Sequence, residues 1–176
     1  MLTEIITQLN AFFTLLLQIL IIFYLGSKVA EKITGKKLQM VENASEYIKK
    51  NSRMLIFLIS AAGMAGTLYY SEIALYEPCK LCWYQRTMLY PQVFIAGVSL
   101  FRKNSIRLAL LPLNVIGMAI AAYHYIIQIL PRASVICTAD AVSCTASPFY
   151  MLSYITIPLM ALTLFTTLLI ISSKSE

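Results

Sequence analysis

The chain has 176 residues, of which 59% are hydrophobic and only 12% charged. Soluble domains carry about 25% charged and 45–50% apolar residues, so this composition excludes an ordinary soluble globule and indicates an integral membrane protein. The net charge of +6 does not mark a nucleic-acid partner, because the cations avoid the long apolar segments and gather between them.

A helix crossing a bilayer needs roughly 20 apolar residues, within a range of about 17–25. Five segments qualify, near 5–26, 54–71, 83–101, 106–130 and 148–171. None alternates as barrel strands do, so the fold class is all-α, an integral membrane helix bundle of one domain. The first segment starts from MLTE, without Lys or Arg, and Lys28, Lys32, Lys36 and Lys37 follow it. A signal peptide has the reverse order, so 1–30 is expected to be a retained transmembrane helix with its N-terminus outside.

Residues 31–53 form the one long polar segment. Leu38, Val41, Ala44 or Ser45, and Ile48 recur there at helical spacing. This predicts a basic helix lying on the cytoplasmic face against anionic membrane lipid, with a solvated linker as the alternative. Next, SAAGMAG at 60–66 offers small residues for close helix contact. Tyr69, Tyr70, Trp83 and Tyr84 suit an aromatic belt. Pro91 and Pro158 fall inside spans and are expected to kink them. Ser147-Pro148 reads as the N-cap and first-turn proline of the last span.

Cytoplasmic loops collect Lys and Arg. With 27–53, 102–107 and the tail placed inside, eleven of the cations lie there and three, Lys80, Arg86 and Arg132, lie outside. The predicted topology is multi-pass, N-terminus out and C-terminus in. The cysteines played no part in that assignment. Yet Cys79 and Cys82, between the second and third spans, and Cys137 and Cys144, between the fourth and fifth, all land on the outer, oxidising face.

Three chemistries compete for these cysteines. Zinc wants four ligands in close-spaced pairs; Cys79 and Cys82 comply, but Cys137 and Cys144 in CTADAVSC are looser, so no metal is expected. Static disulfides are the structural alternative, yet a two-residue gap closes too little chain to stabilise much. A redox relay accounts for more. Pro78 suits a first helical turn, which puts Cys79 and Cys82 on one face at a helix N-terminus, where the dipole favours a thiolate. Arg86 lies one turn beyond Cys82 on the same face. A cation about two turns into a span is costly and points to function, with snorkelling towards headgroups as the plainer alternative.

PCKLCWYQR followed by MLYP, residues 78–86 and 88–91, resembles the signature of the disulfide bond formation protein B family, DsbB, and its shorter relatives called BdbC. AYHYIIQ at 122–128 and the close second cysteine pair resemble the shorter branch. The resemblance covers roughly 53–171. It implies a four-helix redox core at 54–171, preceded by an extra N-terminal helix and the 31–53 segment, and followed by a cytoplasmic tail at 172–176.

It implies a thiol:quinone oxidoreductase of the bacterial cytoplasmic membrane. Such a protein reoxidises a DsbA-like thioredoxin-fold protein and passes the electrons to ubiquinone or menaquinone. Carried over by position, Cys137 would exchange with the partner, with Cys144 as its mate in the resting disulfide. Cys79 and Cys82 would form the pair facing the quinone. Cys82 would meet the quinone as a thiolate, and Arg86 would hold a quinone oxygen.

His124, the sole histidine, would lie by the quinone head as donor or proton relay, with Gln128 on the same face; a packed interfacial histidine is the alternative. Two other functions remain in view. A vitamin K epoxide reductase relative would carry its quinone-facing Cys-x-x-Cys after the loop pair, whereas here it comes first. A membrane scaffold or transporter subunit would hold its disulfides fixed.

Overall fold

The computed structural model describes residues 2–102, 105–130 and 143–175. Within them the chain forms five helices: α1 (Leu2–Thr34), α2 (Gln39–Leu68), α3 (Lys80–Phe101), α4 (Arg107–Ile129) and α5 (Ile157–Lys174). A π-helical turn, Tyr69–Ile73, extends α2. Among the described residues the only β pairing is an isolated antiparallel bridge between Met151 and Ile155. α2 packs on α3 and α5, and α4 packs on the same two, which closes a four-helix ring; α1 lies outside it against α5.

Among the described residues four helices are long and apolar enough to cross a membrane: α1, α2 with its π-helical turn, α4 and α5. Five were expected, and α3 is the exception. It spans 22 residues, long enough at 1.5 Å per residue, but polar side chains lower its hydropathy. Those side chains face inward. Leu81, Gln85, Arg86, Leu89, Gln92, Ala96 and Ser99 are buried along one stripe, while Trp83, Phe94, Val98 and Phe101 are exposed. α3 therefore turns its apolar face outward, the reverse of a helix in a water-soluble bundle.

The core is apolar towards one end of the ring. Ile56, Leu89, Ala96, Ile106, Leu110, Ala121, Phe165, Leu168 and Ile171 form a single buried cluster. Small residues permit close approach. A Cβ on Gly117 would run into the Phe165 ring, and one on Gly63 would come within 2.7 Å of Leu164. Gly66 has nothing near it, so only part of SAAGMAG serves close packing.

Several boundaries differ from the sequence-based expectation. Residues 39–53 are not a separate surface helix but the first half of α2. Two of their apolar positions find protein partners. Val41 is buried and Ile48 packs against the core. Glu42 accepts from Lys28 of α1 at 2.8 Å, and Ser45 accepts from Lys174 of α5. Gly35, at φ 69°, ends α1 with its N–H on the Glu31 carbonyl at 2.8 Å, the left-handed stop that glycine adopts without strain.

The last helix starts at Ile157 rather than near 148, with Pro158 in its first turn, where a missing N–H costs nothing. Pro158 is thus a helix start, not a kink. Residues 148–156 instead form an irregular stretch in which Leu152 and Ser153 adopt positive φ. Pro91 lies within α3, and α3 continues as one helix past it. Tyr70 is also not a belt residue. It is buried, takes Asn10 Nδ2 on its hydroxyl at 3.2 Å, and stacks on Tyr76 at 6.0 Å between centroids.

Candidate functional site

α3 begins at Lys80, two residues later than Pro78 suggested, so Cys79 is its N-cap and Cys82 stands in the first turn. The Cys79 carbonyl accepts the Trp83 N–H at 3.2 Å. This first turn brings the two sulfurs to 3.2 Å. Both are free thiols, Cys79 buried and Cys82 half-buried. Cys79 precedes the helix, and the Cys82 thiol beside it, followed by the His124 imidazole, holds its thiol well below the usual range against the opposing effect of burial.

His124 comes from α4 and is buried at 2% exposure. Its Nε2 faces the Cys79 sulfur at 3.6 Å and the Cys144 carbonyl at 3.2 Å. A carbonyl only accepts, so Nε2 carries the proton. Nδ1 faces the Gln85 amide nitrogen at 3.1 Å, a donor that pairs with an unprotonated Nδ1. Turning that amide would present its oxygen to a protonated Nδ1, so Gln85 suits either state of the ring.

Cys144 is disulfide-bonded and 1% exposed. It packs with Cys79, Leu81 and Ile127 in one apolar cluster. One turn beyond His124, Gln128 Nε2 donates to the Ala146 carbonyl at 3.3 Å. Tyr125 donates to the Tyr154 carbonyl at 3.2 Å. The C-terminal end of α4 thus docks the segment after Cys144 beside the first cysteine pair. Cys137 lies outside the described residues.

Arg86 is buried, with Nη2 donating to the Thr67 carbonyl of α2 at 2.9 Å and its guanidinium carbon 5.1 Å from the Trp83 ring centroid. Thr67 lies just before the π-helical turn, and its carbonyl also accepts from Ser71 at 3.2 Å. These protein contacts argue against simple snorkelling to headgroups. Trp83 is half-exposed beside it, as belt placement requires.

The structure therefore gathers Cys79, Cys82, Cys144, Arg86 and His124 at one end of the bundle. It adds Gln85, which the motif contains but which no charge or cysteine spacing singled out. Its one sequence signal is position: three residues past Cys82, on the buried stripe of α3.

Membrane-length helices that carry a partly buried Cys-x-x-Cys pair next to a disulfide-bonded cysteine define a multi-pass membrane thiol–disulfide oxidoreductase. The model of the family "Disulfide bond formation protein DsbB" matches residues 49–173, and the chain belongs to that family. It is 41% identical over 133 residues to the SPbeta prophage-derived disulfide bond formation protein B of Bacillus subtilis (strain 168), covering 71% of this chain and 89% of the relative.

It is 37% identical over 117 residues to disulfide bond formation protein C of the same organism, covering 65% and 84%. It is 35% identical over 136 residues to a probable disulfide formation protein of Chlamydia trachomatis, covering 74% and 98%. No solved structure matches the chain.

Proposed function

We propose that the protein reoxidises an extracytoplasmic, DsbA-like thioredoxin-fold protein and delivers the electrons to a membrane quinone through two cysteine pairs. The observation that carries this reading is His124, whose one nitrogen lies against both the Cys79 sulfur and the Cys144 backbone. A partner thiolate attacks the Cys137–Cys144 disulfide at Cys137 and releases the Cys144 thiolate. The partner's second thiol then resolves the mixed disulfide, leaving it oxidised and Cys137 and Cys144 reduced.

That dithiol in turn reduces the Cys79–Cys82 disulfide by the same exchange, leaving Cys79 and Cys82 as thiols. Burial of Cys144 suits the inner mate of the exchanging pair.

When bound, ubiquinone or menaquinone supplies the oxidising equivalent, taking up two electrons and two protons. The side chains present fit such a group. Cys82 is half-buried at the lip, Arg86 one turn below brings a cation and N–H donors, and Trp83 offers an aromatic face. Arg86 would hold the polar oxygen, and His124, backed by Gln85, would move the proton at Nε2.

Charge asymmetry supports an orientation with the N-terminus and cysteines outside the bacterial cytoplasmic membrane and the C-terminus inside. The test is turnover of a reduced thioredoxin-fold partner with defined quinones. Cys79→Ala and Cys82→Ala should abolish quinone reduction. Arg86→Lys should raise the quinone KM about tenfold, since an ammonium cannot replace a guanidinium's planar fork. A wild-type protein that oxidises the partner without consuming quinone sinks the proposal.

A further inference from the structure

We propose that the reduced Cys79–Cys82 pair and His124 form a binding site for one thiophilic divalent cation of the zinc class, and that the bound cation arrests the protein in its reduced state. The two sulfurs and the imidazole nitrogen all lie within 4.8 Å of one another. Tetrahedral zinc, with bonds of about 2.3 Å to sulfur and about 2.0–2.1 Å to nitrogen, needs S···S of about 3.8 Å and S···N of about 3.6 Å. The Cys79 S···N distance is 3.6 Å already, the Cys82 sulfur lies within 4.8 Å of the same nitrogen, and the S···S distance of 3.2 Å reaches the required value with a sulfur shift of about half an ångström. Three protein ligands leave the fourth position for water.

The surroundings favour such a cation. Two thiolates in a buried cluster are costly when bare, but with a divalent cation and a neutral imidazole the charges sum to zero. Binding displaces whatever protons the two sulfurs still carry and moves no electrons. The Nε2 proton also has to leave that nitrogen. Nδ1 takes one instead and donates it to the Gln85 amide oxygen once the amide turns, so Gln85 orients the ligand from behind. Sequence spacing argued against zinc because the second cysteine pair is loose. The third ligand is instead a histidine from another helix.

The arrest rests on the proposed relay, whereas the binding does not. Full-length protein in detergent is reduced, desalted without oxygen and titrated with Co²⁺ as the spectroscopic probe. One equivalent should produce thiolate-to-cobalt charge-transfer and tetrahedral d–d bands, and Zn²⁺ should displace them. The Cys137→Ser/Cys144→Ser variant should retain the bands, His124→Ala should weaken binding at least tenfold, and Gln85→Leu about tenfold.

His124→Gln makes the same comparison if His124→Ala loses its helical circular dichroism. Absence of tetrahedral cobalt, unchanged affinity in both histidine variants, or loss of the bands in the double serine variant overturns the site. In turnover with partner and quinone, Zn²⁺ should slow the rate at least tenfold, and a chelator should restore it. Cobalt binding without this inhibition overturns the arrest. Absence of turnover before any metal is added, with cobalt still bound, instead overturns the relay.

Discussion

Both ring nitrogens of His124 are committed, to the Gln85 amide on one side and to the Cys79 sulfur and Cys144 carbonyl on the other. The ring is thus oriented from behind by Gln85, a residue that touches neither cysteine pair by hydrogen bond. In Gln85→Leu, Nδ1 loses its buried partner, and the ring is held by its Nε2 contacts alone. The expected cost is that of one buried hydrogen bond, about 1 kcal/mol. Rapid-mixing measurement of electron transfer from the reduced first pair should show a rate about fivefold to tenfold slower, with the partner KM unchanged. An unchanged rate would mean that the Cys144 carbonyl alone orients the ring.

At the scale of the element, α3 and α4 carry their polar groups inward. On α4 the buried stripe includes Asn114, Gly117, Ala121, His124 and Gln128, and Asn114 donates to Ser172 of α5 at 3.2 Å. Lipid supplies no hydrophobic force between helices, so close packing and such hydrogen bonds hold them together. At Gly117 the 1%-exposed Phe165 ring of α5 fills the space a methyl would take. Gly117→Ala is expected to overpack the contact and destabilise the bundle by ~1–3 kcal/mol, measured as a fall in the midpoint of SDS-induced unfolding. A midpoint equal to wild type would show that Phe165 can swing aside without cost.

At the scale of the molecule, the cysteine site and the basic residues occupy opposite ends. Thr3 and Asn10 of α1 bond Tyr69 and Tyr70 near the cysteine end, whereas Lys28 pairs with Glu31 and Glu42, and Lys174 meets Ser45, at the other. The polar seam of α1 continues with Gln18, which donates to Thr163 and accepts from Tyr154. This separation matches the charge bias in the sequence. A C-terminal green fluorescent protein fusion is expected to fluoresce, and a C-terminal alkaline phosphatase fusion to be inactive. The opposite pair of results would invert the proposed topology and remove the cysteines from the oxidising side.

The amino-acid sequence by itself determined that this is an all-helical membrane protein, because apolar runs of bilayer length and a sparse charge have no other stable use. It determined the family as well, since Cys79, Leu81, Cys82, Trp83, Tyr84 and Arg86 sit in one contiguous motif. It located Cys79, Cys82, Cys144, Arg86 and His124, whose rarity in apolar surroundings makes them visible. Only the tertiary structure decided how they meet. The contacts of His124 with Gln85, Cys79 and Cys144, and of Arg86 with Thr67, join helices distant in sequence, and no local periodicity encodes them. The same reason explains α3 and residues 39–53: polarity along a chain reports what a face could bury, and the neighbouring helices decide what it does bury.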